Sequence, residues 1–448
     1  MATAKLNPVS QNPVSAKSRW QPLLTGNLHH EALTTVREIA SALSHVLPPA
    51  GNGAEKFPEI YPATLTRWKA EIALFHAYLA VADKNPENAQ LAYEYLNEAI
   101  SETAEHAPSA GLFGGVTEIG WIVAHLTELL LGEEEEESCA AVDEFLNEHL
   151  AQPEWHGDYD LISGLAGLGV YALERAQQDP LALEIMRKVI SHLGQTAEHN
   201  EHGITWHTGP ALLPEWQLQS CPQGHYNLGA AHGVPGVIAM LAQACAMDEI
   251  GVAAGILLDG AVSWLLANKS YDEQGPYLTY WIAPGIKPGL ARQAWCYGEL
   301  GAATALLLAA RCRESQDWEK EALTLLRRSA LRHLEDSGVT DAGLCHGAAG
   351  NAHLFNRIYQ ATGDPLFQQT ALYWYERIFE FHMPAKGIAG YLSSREIEGK
   401  ISWDTNAGFL DGATGVGLAL LAAITDIEPS WDRLLLASIP PRRNKTTA

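Results

Sequence analysis

"LCHGAAGNAHLF", residues 344–355, sets two glycines three positions apart, Gly347 and Gly350, ahead of an apolar run. The same device recurs in "LISGLAGLGVYALE" from 161, "LGAAHGVPGVIAML" from 228, "WCYGELGAATALL" from 295 and "FLDGATGVGLALL" from 409. Their pairs are Gly164/Gly167, Gly233/Gly236, Gly298/Gly301 and Gly412/Gly415. A sixth copy, "LFGGVTEIGWIVAHL" from 112, has Glu118 where the second glycine would fall. Copies follow one another at intervals of about 50 to 70 residues, room for two helices per unit.

The glycine-led segments are apolar nearly all round, as fully buried helices are. Segments between them, such as "DPLALEIMRKVISHLGQ" and "DWEKEALTLLRRSALRHLED", carry apolar residues at helical spacing and charge on the other face. The expected fold is all-α: an α/α toroid, with six inner helices lining the centre and six amphipathic outer helices covering them. Glycine at each inner helix start lets backbones approach closely, and sets the preceding residue at the mouth of the ring. Residues 1–28, rich in Pro, Ser and Asn, are expected to be a flexible arm, 29–430 the toroid, and 431–448 a tail. The stretch near 200–227 is rich in Gly, Pro and aromatics and is expected to form an ordered loop over one end of the ring. The run "GEEEEES", 132–138, reads as a solvated loop or helix end.

The chain has 448 residues, 47% of them hydrophobic and 18% charged, with 13 Trp and 15 Tyr, which argues for a large core. A net charge of −24 disfavours nucleic acid as a partner. No stretch approaches the ~20 apolar residues of a membrane span, and the first residues lack the apolar centre of a secretory signal. A cytoplasmic location is expected. The six cysteines are scattered, so they read as free thiols or metal ligands rather than a disulfide framework.

Chemistry concentrates just before the first glycine of each pair, where Ser163, His232, Cys296-Tyr297, Cys345-His346 and Asp411 stand. The ring would bring these to one end. Cys296, Cys345 and His346 offer zinc two thiolates and an imidazole, with a fourth position open, which is the catalytic rather than the structural arrangement. The competing reading is that buried cysteines are simply small core residues. No zinc-finger spacing, HExxH, C-x-x-C or phosphate-binding loop is present.

"WCYGELG" and "LCHGAAG", with "YNLGAAHGVPG" and "YDLISGLAG" upstream, resemble the lanthionine synthetase C-like (LanC) family over roughly residues 60–425. The resemblance implies an α/α toroid with one zinc per chain, held by Cys296, Cys345 and His346. It implies active-site roles for His232 and Asp160, and places Arg292 and Tyr297 beside the metal. It also implies a cyclase activity: a cysteine of a ribosomally made precursor peptide adds to a dehydrated Ser or Thr, closing a thioether ring. A dehydratase is then an expected partner. In that chemistry His232, or a water it orients, would protonate the enolate. Asp160 would hold His232 or help remove the thiol proton, the competing reading being a cap on the following helix. Arg292 would steady the enolate oxygen or a structural carboxylate. Trp206, His207 and Trp403 are candidates for the wall of a peptide groove. His353 reads as structural, and Asp411 as lying opposite the site in the ring.

Three rival readings share these residues. One adds glutathione or another free thiol to dehydroamino acids. One is a carbohydrate-active α/α enzyme using paired carboxylates from Asp158, Asp160, Asp404 and Asp411. One is a non-catalytic peptide-binding toroid with zinc as a staple.

Overall fold

The computed structural model describes residues 20–47, 62–106, 109–131, 136–176, 179–247, 250–287, 289–397 and 400–442. Fourteen long helices follow one another among these: α1 (Gly26–Val46), α2 (Pro62–Asp83), α3 (Pro86–His106), α4 (Val116–Leu126), α5 (Glu136–His149), α6 (Leu165–Arg175) and α7 (Pro180–Thr196), then α8 (Val234–Ala244), α9 (Gly251–Ala267), α10 (Gly298–Cys312), α11 (Gln316–Ala330), α12 (Ala348–Thr362), α13 (Pro365–Glu380) and α14 (Ala413–Ile424). The even-numbered helices stand side by side as an inner ring, and α14 closes back on α2. Each odd-numbered helix lies outside one of them: α3 on α2, α5 on α4, and so on to α13 on α12, with α1 covering α14. The architecture is the expected α/α toroid.

The ring among the described residues holds seven inner helices, not six. The extra one, α2, has no glycine pair and carries Arg67, Lys69 and Glu71, so no repeat marks it. It is nonetheless buried from Leu65 to Ala80 save for Arg67. Its charges are matched inside the fold: Lys69 lies 2.5 Å from both Glu98 and Glu102 of α3, and Arg67 lies 3.6 Å from Glu71 and 4.0 Å from Glu118 of α4.

The six glycine-led helices begin alike. None has a side-chain cap at its opening glycine or, for α10, at Tyr297. The loop before the helix supplies the missing acceptors itself, folding back so that its carbonyls meet the first free N–H groups. Leu165, Ala166 and Gly167 donate to the carbonyls of Asp158, Tyr159 and Asp160; Ala348, Ala349 and Gly350 donate to those of Asp341, Ala342 and Gly343. That fold-back explains the second glycine. A methyl group at Gly301, Gly350 or Gly415 would overlap the carbonyl of Trp295, Leu344 or Phe409 respectively. In the first copy Glu118 takes this place, and its carboxylate accepts the Gly114 N–H at 2.8 Å.

The loops are also tied to one another. Phe113 N donates to Ile162 O, Ala231 N to Cys296 O, Cys296 N to Cys345 O and Cys345 N to Leu410 O. Each of these residues stands two places before its helix-opening glycine. The mouth of the ring is thus laced by backbone hydrogen bonds from copy to copy.

Short antiparallel ribbons decorate the rim. They pair β1 (Glu198–Asn200) with β2 (Gly203–Thr205), β3 (Tyr226–Asn227) with β6 (Trp281–Ile282), β4 (Ser270–Asp272) with β5 (Gly275–Tyr277), and β7 (Ser393–Ile397) with β8 (Lys400–Asp404). The aromatic stretch near 200–227 is ordered, with a short helix over Glu215–Ser220 and a bridge between Thr208 and His225.

Both expected terminal boundaries shift. Trp20 is buried, donates its indole N–H to Ala422 O at 2.8 Å, and lies under the Arg357 guanidinium. Leu23 N and Leu24 N both donate to Ala423 O. The toroid therefore begins by Trp20; residues 1–19 lie outside the described ones. At the other end Trp431 and Leu434–Ala437 are buried, because Asp432 accepts from His353 at 2.7 Å and from the Arg357 guanidinium. Residues 431–442 therefore belong to the fold, not to a tail. His353 is buried and structural. Most of the acidic run, 132–135, lies outside the described residues.

Gly350→Ala is expected to destabilise the fold by about 3 kcal/mol or more through the clash with Leu344 O. Gly194→Ala, on the open face of α7, is expected to stabilise it by about 0.5–1 kcal/mol. Denaturant midpoints of the two variants check both.

Candidate metal centre at the mouth of the ring

The repeat register places one residue per copy immediately before the helix-opening glycine. In order these are Gly114, Ser163, His232, Tyr297, His346 and Asp411, with Cys296 and Cys345 one place earlier. Because Cys296 N donates to Cys345 O, the two cysteines sit on neighbouring rungs of the backbone lacing. Cys296, Cys345 and His346 each offer a ligand atom, and these atoms all lie within 4.8 Å of one another. Among the described residues no other group of three His, Cys, Asp or Glu side chains meets so closely.

The donor set fits zinc: two thiols and an imidazole converge, and the rest of the mouth is left open for a further ligand. Their proton affinities are set by one another. The Cys345 thiol hydrogen-bonds Cys296 and, against the effect of burial, holds it well below the ordinary thiol range, with help from His346. Cys345 is pushed well above that range by the same bond and by burial. Burial opposes charge on His346, yet its hydrogen bond to Cys296 and the nearby Asp411 carboxylate push it up to about 9.

His232 lies across from these ligands, its ring 6.3 Å from that of Tyr297, the residue after Cys296. Its Nδ1 is 2.6 Å from Asp160 Oδ2. Burial lowers the proton affinity of His232, but the Asp160 hydrogen bond and charge outweigh it and the net shift is upward. Asp160 reaches this far because it stands where other copies have Gly111, Gly229, Gly343 and Gly408. Its other oxygen accepts the Ser163 N–H at 2.9 Å, one residue ahead of the helix-opening Gly164, so it braces the loop rather than capping the helix. Next to it, Asp158 is raised to about 7 by burial and by the Asp160 charge.

Tyr297 accepts a hydrogen bond at 3.2 Å from Asn227 Nδ2, which leaves its own hydroxyl proton to donate elsewhere. Burial keeps that phenol protonated. Arg292 stands near both thiols; burial opposes its charge, but Tyr280 and the two cysteines favour it. Asn227, Tyr280, Trp281 and His225 complete this wall, and sequence reasoning missed all four. His225 packs edge-on against Trp281 and is lowered to about 4 by burial and by the neighbouring His207 and His232. The available signal was "HYNLG", an Asn six places before a helix-opening glycine, matching Asp341 and Asn406 in later copies. Each of the three caps the backbone N–H two residues on, at Gly229, Gly343 and Gly408.

Other expectations change. Trp206 is buried, with its indole N–H on Leu193 O at 2.9 Å, so it is core and offers no surface to a peptide. His207 is half-buried against Tyr226, and Trp403 is exposed on β8. Asp404 lies exposed on the same ribbon, 3.8 Å from Arg395. Asp411 does not lie opposite the site. The fifth and sixth copies are neighbours in the closed ring, and its Oδ1 is 3.6 Å from His346 Nδ1. No helix among the described residues is long and apolar enough to cross a membrane.

Comparison with known proteins matches the chain to one family. A family model described as "Lanthionine synthetase C-like protein" matches residues 62–436. The chain is 26% identical over 349 residues to "Glutathione S-transferase LANCL1" of Danio rerio, covering 76% of this chain and 80% of that relative. It is 22% identical over 364 residues to "Nisin biosynthesis protein NisC" of Lactococcus lactis subsp. lactis, covering 75% and 80%. The solved structure of "Nisin cyclase" matches with a TM-score of 0.69 at 19% identity, over 91% of this chain and 98% of that one.

Asp160→Asn is expected to lower the pKa of His232, as followed by NMR titration of the ring. The sign follows from linkage. A raised folded pKa adds stability that is full below the unfolded value near 6.5 and is lost as pH rises through the folded value. The gap in stability between wild type and variant should therefore be wider at pH 5.5 than at pH 9.

Proposed function

The chain belongs to the lanthionine synthetase C-like family, and from that premise we propose that its ring mouth is a zinc-dependent thiol-addition site. The preferred reaction closes thioether rings in a ribosomally made precursor peptide. A cysteine sulfur bonds to the β-carbon of a dehydroalanine or dehydrobutyrine, and the proton lost by the thiol is matched by one delivered to the α-carbon. The observation that carries this reading is the convergence of Cys296, Cys345 and His346 within 4.8 Å, facing a carboxylate-bound histidine.

Zinc held by these three side chains would supply a Lewis acid that keeps a substrate thiol deprotonated near neutral pH. The protein's own groups account for the rest. With Nδ1 of His232 bound to Asp160, its Nε2 is the nitrogen that faces substrate. The raised proton affinity of the ring keeps a proton there to deliver to the enolate α-carbon. As sulfur adds, the electron pair of the C=C bond moves onto the substrate carbonyl. Tyr297 has a hydroxyl proton, and Arg292 a positive charge, with which to meet that oxygen. Thiol addition to dehydro residues is intrinsically facile, so positioning within the ring mouth is a large part of the catalysis. A dehydratase acting before this step would supply the substrate.

Addition of a free thiol is the second reading. It is favoured by the relative at 26% identity whose name is glutathione S-transferase. The same residues serve both reactions, and the difference lies in whether the thiol belongs to the peptide.

Metal content and product mass test this. Wild type is expected to carry about one zinc per chain, and Cys296→Ala, Cys345→Ala and His346→Ala to lose it with helicity retained. His232→Ala should keep zinc and lose about 10²- to 10⁴-fold in rate. A synthetic peptide holding both Cys and dehydroalanine should lose its alkylatable thiol at constant mass. A gain of one glutathione on a cysteine-free dehydroalanine peptide would select the second reading. Zinc-free wild type after chelator-free, reducing purification would remove both, and unfolding on zinc loss would favour the staple.

A further inference from the structure

Asp411 occupies in the sixth loop the place that His346 holds in the fifth. Oδ1 of Asp411 is buried and has no hydrogen-bond partner, which is unusual for a carboxylate oxygen inside a fold. It lies 3.6 Å from Nδ1 of His346. The other charged groups nearby are already engaged. Asp341 accepts the Gly343 N–H at 2.9 Å with Oδ1, and the Ser394 N–H and hydroxyl at 2.8 and 2.7 Å with Oδ2. Arg67 is held between Glu71 and Glu118. The backbone also fixes the approach, because Cys345 N donates to Leu410 O at 2.8 Å and clamps the two loops one residue away from both side chains. The N-terminus of α14, which starts two residues on, favours a negative charge at Asp411.

We propose that Asp411 is a positioning residue of the metal centre, a carboxylate that turns the His346 ring and holds it ready for the ion. This rests on the reading of Cys296, Cys345 and His346 as ligands. Metal-bound histidines commonly have their other ring nitrogen on a carboxylate, which fixes the tautomer and strengthens the ligand. The ring mouth uses the pairing twice. Asp160, from the loop before, grips His232 at 2.6 Å, and Asp411, from the loop after, stands 3.6 Å from His346.

The test is zinc affinity, measured by chelator competition on wild type, Asp411→Asn and Asp411→Glu, with the melting of each metal-free form as control. Asp411→Asn should bind zinc about 10- to 100-fold more weakly, with Asp411→Glu recovering part of the loss and the metal-free melting little changed. In the cobalt-substituted protein, Asp411→Asn should shift the ligand-field bands that sense the imidazole and keep the thiolate-to-cobalt charge-transfer band. Equal zinc affinity and an unchanged cobalt spectrum in Asp411→Asn would overturn the proposal while leaving the metal centre intact. Failure of wild type to bind zinc would remove the metal centre itself, a separate result. Should Asp411→Asn melt early without metal, Asp411→Glu decides: full zinc affinity with unaltered cobalt bands supports the proposal, and zinc loss equal to that of Asn overturns it.

Discussion

The backbone hydrogen bonds that run from loop to loop around the mouth are the constraint on which the rest depends. They join residues two places before each helix-opening glycine, and in the middle of the series those residues are Cys296 and Cys345. Two thiols on separate loops, those leading into α10 and α12, are thereby fixed side by side by the backbone. A site built on backbone lacing is more rigid than one carried on free loops, because the rungs that set ligand spacing also tie the inner helices to each other. The glycine pairs are the steric condition for it. The loop crosses its own helix so closely that a single methyl group at Gly350 or Gly301 would meet a carbonyl oxygen.

Upon this frame the mouth residues differ in charge and reach. His346 faces two sulfurs and an acid, and its proton affinity rises. His225, a few residues from His232, is sealed against Trp281 with other imidazoles for neighbours, and its affinity falls to about 4. Between them His232 is drawn upward by one carboxylate at 2.6 Å. Three histidines around one mouth are thus set to three different proton affinities by their immediate neighbours, with no change in residue type.

What was legible in the sequence follows the same logic. Glycine leaves a mark because in five of the six copies a side chain at the second position would meet the crossing loop, so these helix starts and the cysteines beside them were visible. The inner helix α2 was hidden, since it has no glycine pair and buries Lys69 against Glu98 and Glu102 of α3. Trp206 drew attention as an aromatic in a polar loop, but only the fold shows its indole turned inward onto Leu193 O. Asp411 was set aside although its copy directly follows that of His346; the linear order does not show that the two mouth loops bring its Oδ1 to 3.6 Å from His346 Nδ1. Trp20 and Trp431 stand in segments whose Pro-rich or charged surroundings suggested disorder. They are held instead by contacts such as Trp20 to Ala422, across 402 residues of sequence.

The covering of α14 by α1 gives the ring a particular order of assembly. Among the described residues the first long helix, α1, has as its inner partner the last one, α14, and the stretch from Trp20 to Leu24 is fastened to the end of that same helix. Until α14 is made, the apolar face of α1 has no proper seat and α2 has an open flank. Every other outer helix, by contrast, finds its inner partner next to it in the chain. Growth along the ring is therefore local and fast, while closure is a single long-range event at the end, the kind of contact that slows folding most. During synthesis the arc from α2 to α13 would be nearly complete while α1 still waited for α14, and the mouth with its Cys296, Cys345 and His346 cluster would be framed before the circle is shut.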